Sequence, residues 1–285
     1  MTDDASTPRV PPNAALHPQA AQMQSIFNHM APIYDAVGPG CFAHFGERLV
    51  AFAGVQPGEH LLDLATGRAA CLLPAAAQVG PTGLVISIDV ADEMLRLTQT
   101  AVTDQGIATP VRLQVMDAGH LTFEDHAFHL ALCGFGLMFF ADPPAALAGI
   151  RRVLHPAGRL ALSTWRITQT RDMHDVLHDL GFIPDAHEAI ERLGDPALIE
   201  QLLTEAGYSG IRVQIEPASF TFVGLDAYWA TAMGTGIGRH LAALDADQKL
   251  AVMAALQQRL RPGEDGQVSI QTEALFALAY VPALA

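Results

Sequence analysis

Residues 60–79 read HLLDLATGRAACLLPAAAQV, and this stretch decides the fold. The apolar run Leu61–Ala65 predicts a buried strand, residues 66–68 a tight turn, and the Ala- and Leu-rich run Ala69–Val79 a helix. A strand, a small-residue turn and a helix N-terminus together leave backbone N–H groups free to meet the polar end of a ligand. Asp63 would lie near the carboxyl end of the strand, where open α/β sheets bind ligands.

The alternation of strand and helix continues up to Trp165. Further strands are predicted at Leu84–Ile88, Val111–Val115, Phe128–Cys133 and Arg159–Thr164, and further helices at Ala91–Gln105 and Pro143–Leu154. Strands that alternate with helices of this length predict βαβ units in a parallel sheet with right-handed crossovers. The nearly continuous apolar strands indicate a sheet that is covered on both faces.

The segments on either side of this core have a different pattern. Past Trp165, Asp195–Ala206 predicts a helix, Ile211–Val223 one or two strands, Leu225–Leu260 a helical region and Glu273–Tyr280 a last strand. We therefore expect a flexible arm at 1–20, N-terminal cap helices at 21–56, an α/β core at 57–167, cap insertions at 168–194 and 225–271, and the rest of the sheet domain at 195–224 and 272–285.

Composition excludes several classes of function. The chain has 285 residues and a formal net charge of −14, with 30 acidic against 16 basic residues, which argues against a nucleic-acid partner. No apolar run approaches the roughly 18 residues of a membrane span, and no secretory signal is evident. The cysteines, Cys41, Cys71 and Cys133, have neither metal spacing nor a disulfide pattern, so we expect a cytoplasmic protein without a metal.

The turn itself reads Asp63-x-Ala65-x-Gly67-x-Ala69. It resembles the first motif of class I S-adenosylmethionine-dependent methyltransferases, which is acidic-x-Gly-x-Gly-x-Gly. Small residues let the backbone approach the cofactor, and the acidic group accepts a hydrogen bond from the cofactor's amino group. Here alanines replace the outer two glycines, and alanine favours negative φ. The same pattern also fits a purely structural strand–turn–helix corner.

Two further aspartates follow predicted strands. Asp89 ends the second strand, about twenty residues after the turn. At this position in dinucleotide-binding and related folds, an acidic residue accepts hydrogen bonds from the ribose hydroxyls. A helix N-cap is the structural alternative for Asp89, although Asp92 and Glu93 fit that role better. The family resemblance implies that Asp117 reads the adenine amino group. Met94 would either cover the adenine face or belong to the core.

A longer match lies further along the chain. Residues 134–143 read GFGLMFFADP and residues 151–160 read RRVLHPAGRL. They resemble the type 11 branch of the methyltransferases, which includes the ubiquinone- and menaquinone-biosynthesis enzymes, with Ala141 in place of a proline and Ala157 in place of a glycine. The resemblance covers about Met23–Trp165. It implies a Rossmann-like methyltransferase fold with a doubly wound, mostly parallel, seven-stranded sheet, a helical cap and S-adenosyl-L-methionine as cofactor.

The resemblance also implies the site. The cofactor-binding residues would be Tyr34, Asp63, Ala65, Thr66, Gly67, Asp89, Val90, Met94, Asp117, Ala118, Gly134 and Phe135. The acceptor would lie under a lid of cap helices, in contact with Phe139, Trp165, His178, Tyr228 and Trp229. A dinucleotide cofactor is disfavoured, because residues 65–70 do not form G-x-G-x-x-G.

No catalytic base stands out in the sequence. Methyl transfer is an in-line displacement that depends on positioning and desolvation, and a base is needed only where the acceptor loses a proton. His29, His44 and His174 are the candidates. His174 and His178 share a helix face and could bind a metal, but a solvated face is more common and a third ligand is missing.

We therefore expect methyl transfer to a small, largely apolar acceptor, to oxygen first, with nitrogen and carbon open. A specialised-metabolite pathway is the expected setting, and a homodimer is left open. The alternative is a protein of this fold that no longer transfers methyl and acts as a cyclase or a ligand-binding protein.

Overall fold

The computed structural model describes residues 8, 16–166, 172–183 and 192–283. The strands are β1 (His60–Leu64), β2 (Leu84–Asp89), β3 (Val111–Val115), β4 (Phe128–Gly134), β5 (Leu154–Arg166), β6 (Ser209–Phe222) and β7 (Val268–Tyr280). The helices are α1 (Pro18–Met30), α2 (Cys41–Ala53), α3 (Leu72–Val79), α4 (Asp92–Asp104), α5 (Pro143–Val153), α6 (Asp172–Asp179), α7 (Pro196–Glu205), α8 (Gly224–Met233), α9 (Gly238–Ala242) and α10 (Ala246–Leu260), with a 3-10 turn at Leu137–Phe139. Within these ranges, no helix is long and apolar enough to cross a bilayer.

All seven strands form one sheet in the order β3-β2-β1-β4-β5-β7-β6. The strands β1 to β5 pair in parallel, whereas β7 is antiparallel to both β5 and β6. This arrangement confirms the predicted Rossmann-like α/β fold with a mostly parallel, seven-stranded sheet. Since β1 lies between β2 and β4, the carboxyl ends of these three strands meet at one edge of the sheet.

Side chains of alternate strand residues pack on opposite faces of the sheet. Leu61 of β1 joins a buried cluster with Phe45 of α2 and Leu72 of α3. The next residue, Leu62, joins a second cluster with Ile150 of α5 and Leu203 of α7. Both faces are therefore covered, which explains why the strands are apolar at nearly every position.

A third, smaller core joins the cap helices. Leu177 of α6, Trp229 of α8 and Leu256 of α10 pack together, with other apolar residues of these helices around them. Arg259 of α10 donates hydrogen bonds to Asp172 and Asp175 of α6. The described helices beyond the sheet thus form a packed unit. Of the predicted cap insertion at 168–194, residues 168–171 and 184–191 lie outside the described ranges.

Several boundaries differ from the sequence prediction for identifiable reasons. The helix α3 begins at Leu72, because Ala69 has φ 71 and cannot belong to a right-handed helix. The helix α1 begins inside the predicted arm, at Pro18, where His17 accepts a hydrogen bond from Gln19 N and proline suits the first helical position.

On the C-terminal side, β6 is one long strand with a bulge. The strand β7 starts at Val268, opposite Phe222, so residues 268–271 belong to the sheet and not to the predicted cap insertion. The helical region predicted for Leu225–Leu260 is divided into α8, α9 and α10.

Candidate active site

The turn between β1 and α3 has an unusual backbone. Ala65, Gly67 and Ala69 have φ values of 52, 53 and 71, so all three are left-handed. Alanine was expected to favour negative φ, and a left-handed L-residue costs roughly 1–2 kcal/mol. The turn therefore adopts, at two alanines, the conformation that glycine adopts most readily. Such strained positions are concentrated at functional sites.

Asp89, at the end of β2, holds this turn in place. Its Oδ2 accepts from Gly67 N and its Oδ1 from Ala91 N, each at 2.9 Å. Thr98 of α4 donates to Gly67 O at 2.8 Å. Burial raises the pKa of Asp89, and the backbone N–H groups oppose the increase. Each carboxylate oxygen still has an acceptor position for a ligand hydroxyl.

A first cleft of about 730 Å³ opens over the carboxyl ends of β1, β2 and β4. Asp117 follows β3 at one end of the cleft, where its Oδ1 accepts from Gly119 N at 2.8 Å. Met94 is buried against Ala31 and Ala91, and it contributes to the cleft wall. Ten of the predicted cofactor residues border this cleft: Tyr34, Ala65, Gly67, Asp89, Val90, Met94, Asp117, Ala118, Gly134 and Phe135.

A second cleft, of about 1270 Å³, continues from the first past the turn and contains the other two predicted residues, Asp63 and Thr66. Asp63 is only 1% exposed, and its Oδ2 accepts from Ser87 Oγ at 3.4 Å. Its Oδ1 and Thr66 Oγ1 lack a hydrogen-bond partner of good geometry among the described residues. Burial raises the pKa of Asp63 to about 7, although the Thr66 and Ser87 hydroxyls oppose the increase. A buried carboxylate oxygen with spare capacity suits a cationic ligand group.

A third cavity, also of about 1270 Å³, has nine aromatic side chains among its twenty lining residues. Trp165 stacks on Phe135 with ring centroids 4.1 Å apart, and Phe42 stacks on Tyr34 at 4.8 Å. Tyr34 and Phe135 border all three cavities. The third cavity therefore adjoins the two clefts at these two side chains. We call it the acceptor cavity below, and we call the first and second clefts together the cofactor cleft.

Comparison with known proteins identifies the family. The model of the ubiE/COQ5 methyltransferase family matches residues 17–177, more than half of the chain. The chain belongs to the ubiE/COQ5 methyltransferase family. It is thus an S-adenosyl-L-methionine-dependent methyltransferase, as the sequence predicted.

Curated relatives match to different extents. Nocamycin O-methyltransferase of Saccharothrix syringae is 28% identical over 82% of this chain and 89% of its own length. Aklanonic acid methyltransferase DauC of Streptomyces sp. strain C5 is 34% identical over 50% of this chain and 64% of its own length. The C-methyltransferase UbiE of Cupriavidus pinatubonensis is 35% identical over 50% of this chain and 59% of its own length. The last two matches thus span about three fifths of those relatives.

Solved structures share the fold at low sequence identity. The [4+2]-cyclase SpnF superposes with a TM-score of 0.63 and 17% identity, over 94% of this chain and 98% of that one. Phosphoethanolamine N-methyltransferase 2 of Haemonchus contortus, in complex with S-adenosyl-L-methionine, gives a TM-score of 0.54 at 17% identity, over 84% of this chain and 52% of that one.

The cleft of this methyltransferase fits the family's cofactor. Asp89 and Asp117 offer carboxylate oxygens in the first cleft, and Asp63 offers a buried one in the second. Ala65 and Gly67 lie between them and bring the backbone close to whatever fills the cleft. When bound, the cofactor supplies an electrophilic methyl group on a sulfonium. Individual contacts of the predicted residues with the cofactor stay predictions.

The predicted acceptor contacts divide into two groups. Phe139, Trp165 and Tyr228 line the acceptor cavity. Trp229 is buried in the cap core instead, with Lys249 Nζ 5.1 Å from its ring centroid, because consecutive helical residues point about 100° apart. His178 is exposed on α6, with Nδ1 3.7 Å from Asp179 Oδ1. The predictions for Trp229 and His178 are therefore corrected: neither is among the described residues that line the cavity.

The histidines proposed as bases lie elsewhere as well. His29 and His44 are exposed, and the edge of His44 packs on Phe220 with centroids 5.5 Å apart. His174 is half-buried on α6. None of the three is among the described residues that line the cleft or the cavity, because their helices direct other faces towards it. The described ranges also contain no group of three His, Cys, Asp or Glu side chains that could hold a metal.

The sequence analysis missed several residues of the acceptor cavity. They are Phe27 of α1, Phe42 of α2, Phe220 and Phe222 of β6, Thr231 of α8, and Asp35 in the loop after α1. The sequence indicates a helix around Phe27 but not that its side chain lines a cavity. The others come from two distant segments of the chain, 35–42 and 220–231, and they meet because α2, α8 and the end of β6 converge on the same edge of the sheet. Sequence periodicity alone contained no signal for this convergence.

Proposed function

We propose that the protein transfers the methyl group of S-adenosyl-L-methionine to an oxygen of a small, largely apolar, aromatic acceptor. The observation that carries the proposal is the aromatic cavity, which meets the cofactor cleft at Tyr34 and Phe135. Stacked and edge-on rings favour flat, unsaturated ligands. Transfer to nitrogen or carbon would use the same cavity.

The relatives favour oxygen over carbon. The match to nocamycin O-methyltransferase covers 82% of the chain, so it extends well beyond residue 177, where the family match ends. It therefore includes cap and late-strand residues that line the acceptor cavity. Matches to UbiE C-methyltransferases cover 50% of the chain in one case and 68% in another, less than the match to nocamycin O-methyltransferase. Two relatives named for nocamycin and aklanonic acid also support a specialised-metabolite pathway.

We place the enzyme in the cytoplasm, acting on a free small molecule. The free cysteines support this proposal, since Cys71 and Cys133 are buried thiols without a disulfide. In the cofactor cleft we assign Asp89 to the ribose hydroxyls, Asp117 to the adenine amino group and Asp63 to the amino group of the methionine moiety. The positions of the three carboxylates along the cleft support these assignments.

The test is methyl transfer to a panel of hydroxylated aromatics: naphthols, hydroxyanthraquinones and nitrophenols, each with an amine and a carbon-acid analogue. We expect deuterated methyl from labelled cofactor on oxygen, detected by mass spectrometry and located by NMR. Phe220→Ala should alter which panel members react, whereas Leu250→Ala, an exposed position on α10, should not. Methylation of the amine or carbon analogues alone would overturn the choice of oxygen.

A second candidate is a protein that binds the cofactor without transferring methyl. The fold similarity to the cyclase SpnF and the two left-handed alanines of the turn support it. Calorimetry with S-adenosylhomocysteine tests cofactor binding, which both candidates require. Binding together with cyclisation of an acceptor, and no methylated product, would favour this second candidate. The absence of binding to either form of the cofactor would contradict both.

A further inference from the structure

Asp35 lies where the acceptor cavity meets the second cleft. It borders both spaces, as do its neighbours Tyr34, Phe42 and Phe135. Among the described residues that line the acceptor cavity, Asp35 is the only carboxylic acid, and none is a histidine. Asp35 is therefore the one carboxylic acid, among the described residues, that borders both the acceptor cavity and the second cleft.

The carboxylate of Asp35 is held in a fixed orientation. Its Oδ2 accepts from Ala43 N at 3.0 Å and its Oδ1 from Phe42 N at 3.5 Å, both in the first turn of α2. The Asp35 backbone has φ 48, a region that few non-glycine residues occupy. A carboxylate oxygen accepts two hydrogen bonds, so one position on each oxygen is left for a ligand hydroxyl.

The surroundings favour proton uptake by Asp35. Burial raises the pKa of its carboxyl, opposed by the N–H groups of residues 41–43 and by Arg68. The Arg68 guanidinium donates to Ala31 O and Tyr34 O, so it lies beneath the loop and outside the acceptor cavity. Burial, and the charge of Asp35 itself, also raise the pKa values of Tyr34 and Cys41, the latter to about 12. These two neighbours therefore stay neutral, while Glu47 and Asp63 border only the second cleft.

We propose that Asp35 is the proton acceptor for the acceptor hydroxyl during methyl transfer, an inference that rests on the proposed O-methyltransferase function. The acceptor oxygen bonds the methyl carbon and releases its proton to the Asp35 carboxylate. The electron pair of the broken methyl–sulfur bond stays on sulfur, and the proton then leaves to water. Asp35 thus supplies the base that none of His29, His44 and His174 provides.

The test compares Asp35→Asn with Asp195→Asn. The amide introduced by Asp35→Asn keeps one oxygen that can accept from Ala43 N, but it cannot take up a proton. Asp195 is the matched control, because it also caps a helix, accepting from Ala197 N at 3.0 Å at the start of α7. With 2-naphthol as acceptor, we expect Asp35→Asn to lower kcat by about 10²–10⁴-fold. The loss should be smaller with the more acidic 4-nitrophenol, and S-adenosylhomocysteine affinity should stay within a fewfold. Asp195→Asn should keep the wild-type rate.

A structural role would give a different result. If Asp35 only caps α2, Asp35→Asn will keep the wild-type rate, as Asp195→Asn does. That outcome overturns the proposal while leaving the proposed function intact. If neither probe quenches the fluorescence of Trp165 in the presence of S-adenosylhomocysteine, the proposed acceptor class is wrong. The proposed role of Asp35 depends on that acceptor class and is then wrong as well.

A probe that binds without turnover still tests Asp35. The phenolate absorbance of bound 4-nitrophenol reports its ionisation in the S-adenosylhomocysteine complex. A carboxylate close enough to accept the phenol proton should raise the pKa of the bound phenol above its value in Asp35→Asn, because the phenolate would lie beside a second negative charge. Equal pKa values of the bound phenol in the two proteins would overturn the proposal.

Discussion

The methyl group of Ala65 occupies the space that a side chain at Gly136 would need. A Cβ built on Gly136 would lie 2.8 Å from the Cβ of Ala65 and 3.0 Å from Cys133 Sγ. Gly136 has φ −90, a conformation open to every residue, so space and not backbone freedom requires glycine there. The loop after β4 thus leaves room for an alanine in the turn after β1.

Gly136→Ala should therefore destabilise the protein by about 1–3 kcal/mol, the usual cost of overpacking. Urea unfolding measures the change. Combining it with Ala65→Gly should recover part of the loss, while the contact with Cys133 remains. Gly149→Ala is the matched control: a Cβ there meets nothing within 4 Å on α5, so it should be neutral or stabilising. Equal effects at 136 and 149 would contradict the packing relationship.

Ala65→Gly should behave unlike other alanine-to-glycine changes. Ala65→Gly removes the cost of a left-handed alanine, which is roughly 1–2 kcal/mol. Ala75→Gly in α3 lowers the free energy of unfolding by about 1 kcal/mol through reduced helix propensity. We expect Ala65→Gly to be about 2–3 kcal/mol more favourable than Ala75→Gly, as these two terms require. Chemical denaturation of the two variants checks this. The reverse order would mean that the alanine conformation is not strained.

Asp89→Asn should weaken the binding of S-adenosylhomocysteine about tenfold to a hundredfold, because a hydrogen bond to a charged group contributes about 1.5–3 kcal/mol. Calorimetry measures the affinity. Asp89 also holds Gly67 N and Ala91 N, so thermal unfolding without ligand must first show that the variant is folded. Asp104→Asn, exposed at the end of α4, should bind like the wild type. An unchanged affinity in Asp89→Asn would refute the ribose assignment.

Cofactor binding should depend on pH through Asp63. Its pKa in the folded protein is about 7, above the unfolded value of 3.8, so the carboxyl is protonated at lower pH and must ionise to pair with an ammonium group. S-adenosylhomocysteine affinity should rise up to tenfold per pH unit below pH 7 and level off above it. Calorimetry between about pH 5.5 and about pH 8 tests this, with Asp63→Asn expected to remove the dependence.

The raised pKa of Asp63 has the opposite effect on the stability of the ligand-free protein, which falls as pH rises, whereas cofactor affinity rises. A raised pKa means that the folded state binds more protons than the unfolded state, so the stability contribution of Asp63 is complete below about pH 4 and is lost as pH rises through 7. Asp63→Asn should therefore stabilise the ligand-free protein most at alkaline pH. Thermal melts across that range should show the difference between wild type and variant growing with pH. A constant difference would contradict the buried carboxylate.

Local patterns predicted the parallel half of the fold well. Strand and helix periods located β1 to β5, because buried strands are continuous apolar runs. The start of α3 was misplaced, since alanine has a high helix propensity and nothing local shows that Ala69 is left-handed. The extent of β7 was also missed, because residues 268–271 become a strand only by pairing with β6.

The sequence by itself determined the family, the parallel strands and the carboxylates along the cofactor cleft, because each of these depends on residue patterns that are local to successive βα units. Only the tertiary structure decided the acceptor cavity. Its walls come from α1, α2, β6 and α8, whose separations in sequence carry no periodic signal. It also decided that Tyr228 lines the cavity while Trp229 is buried in the cap, and that Asp35 borders both the acceptor cavity and the cofactor cleft. The turn at residues 65–69 needed both, since spacing identified it, whereas only the structure shows that its alanines are left-handed and that Asp89 binds the N–H group of Gly67.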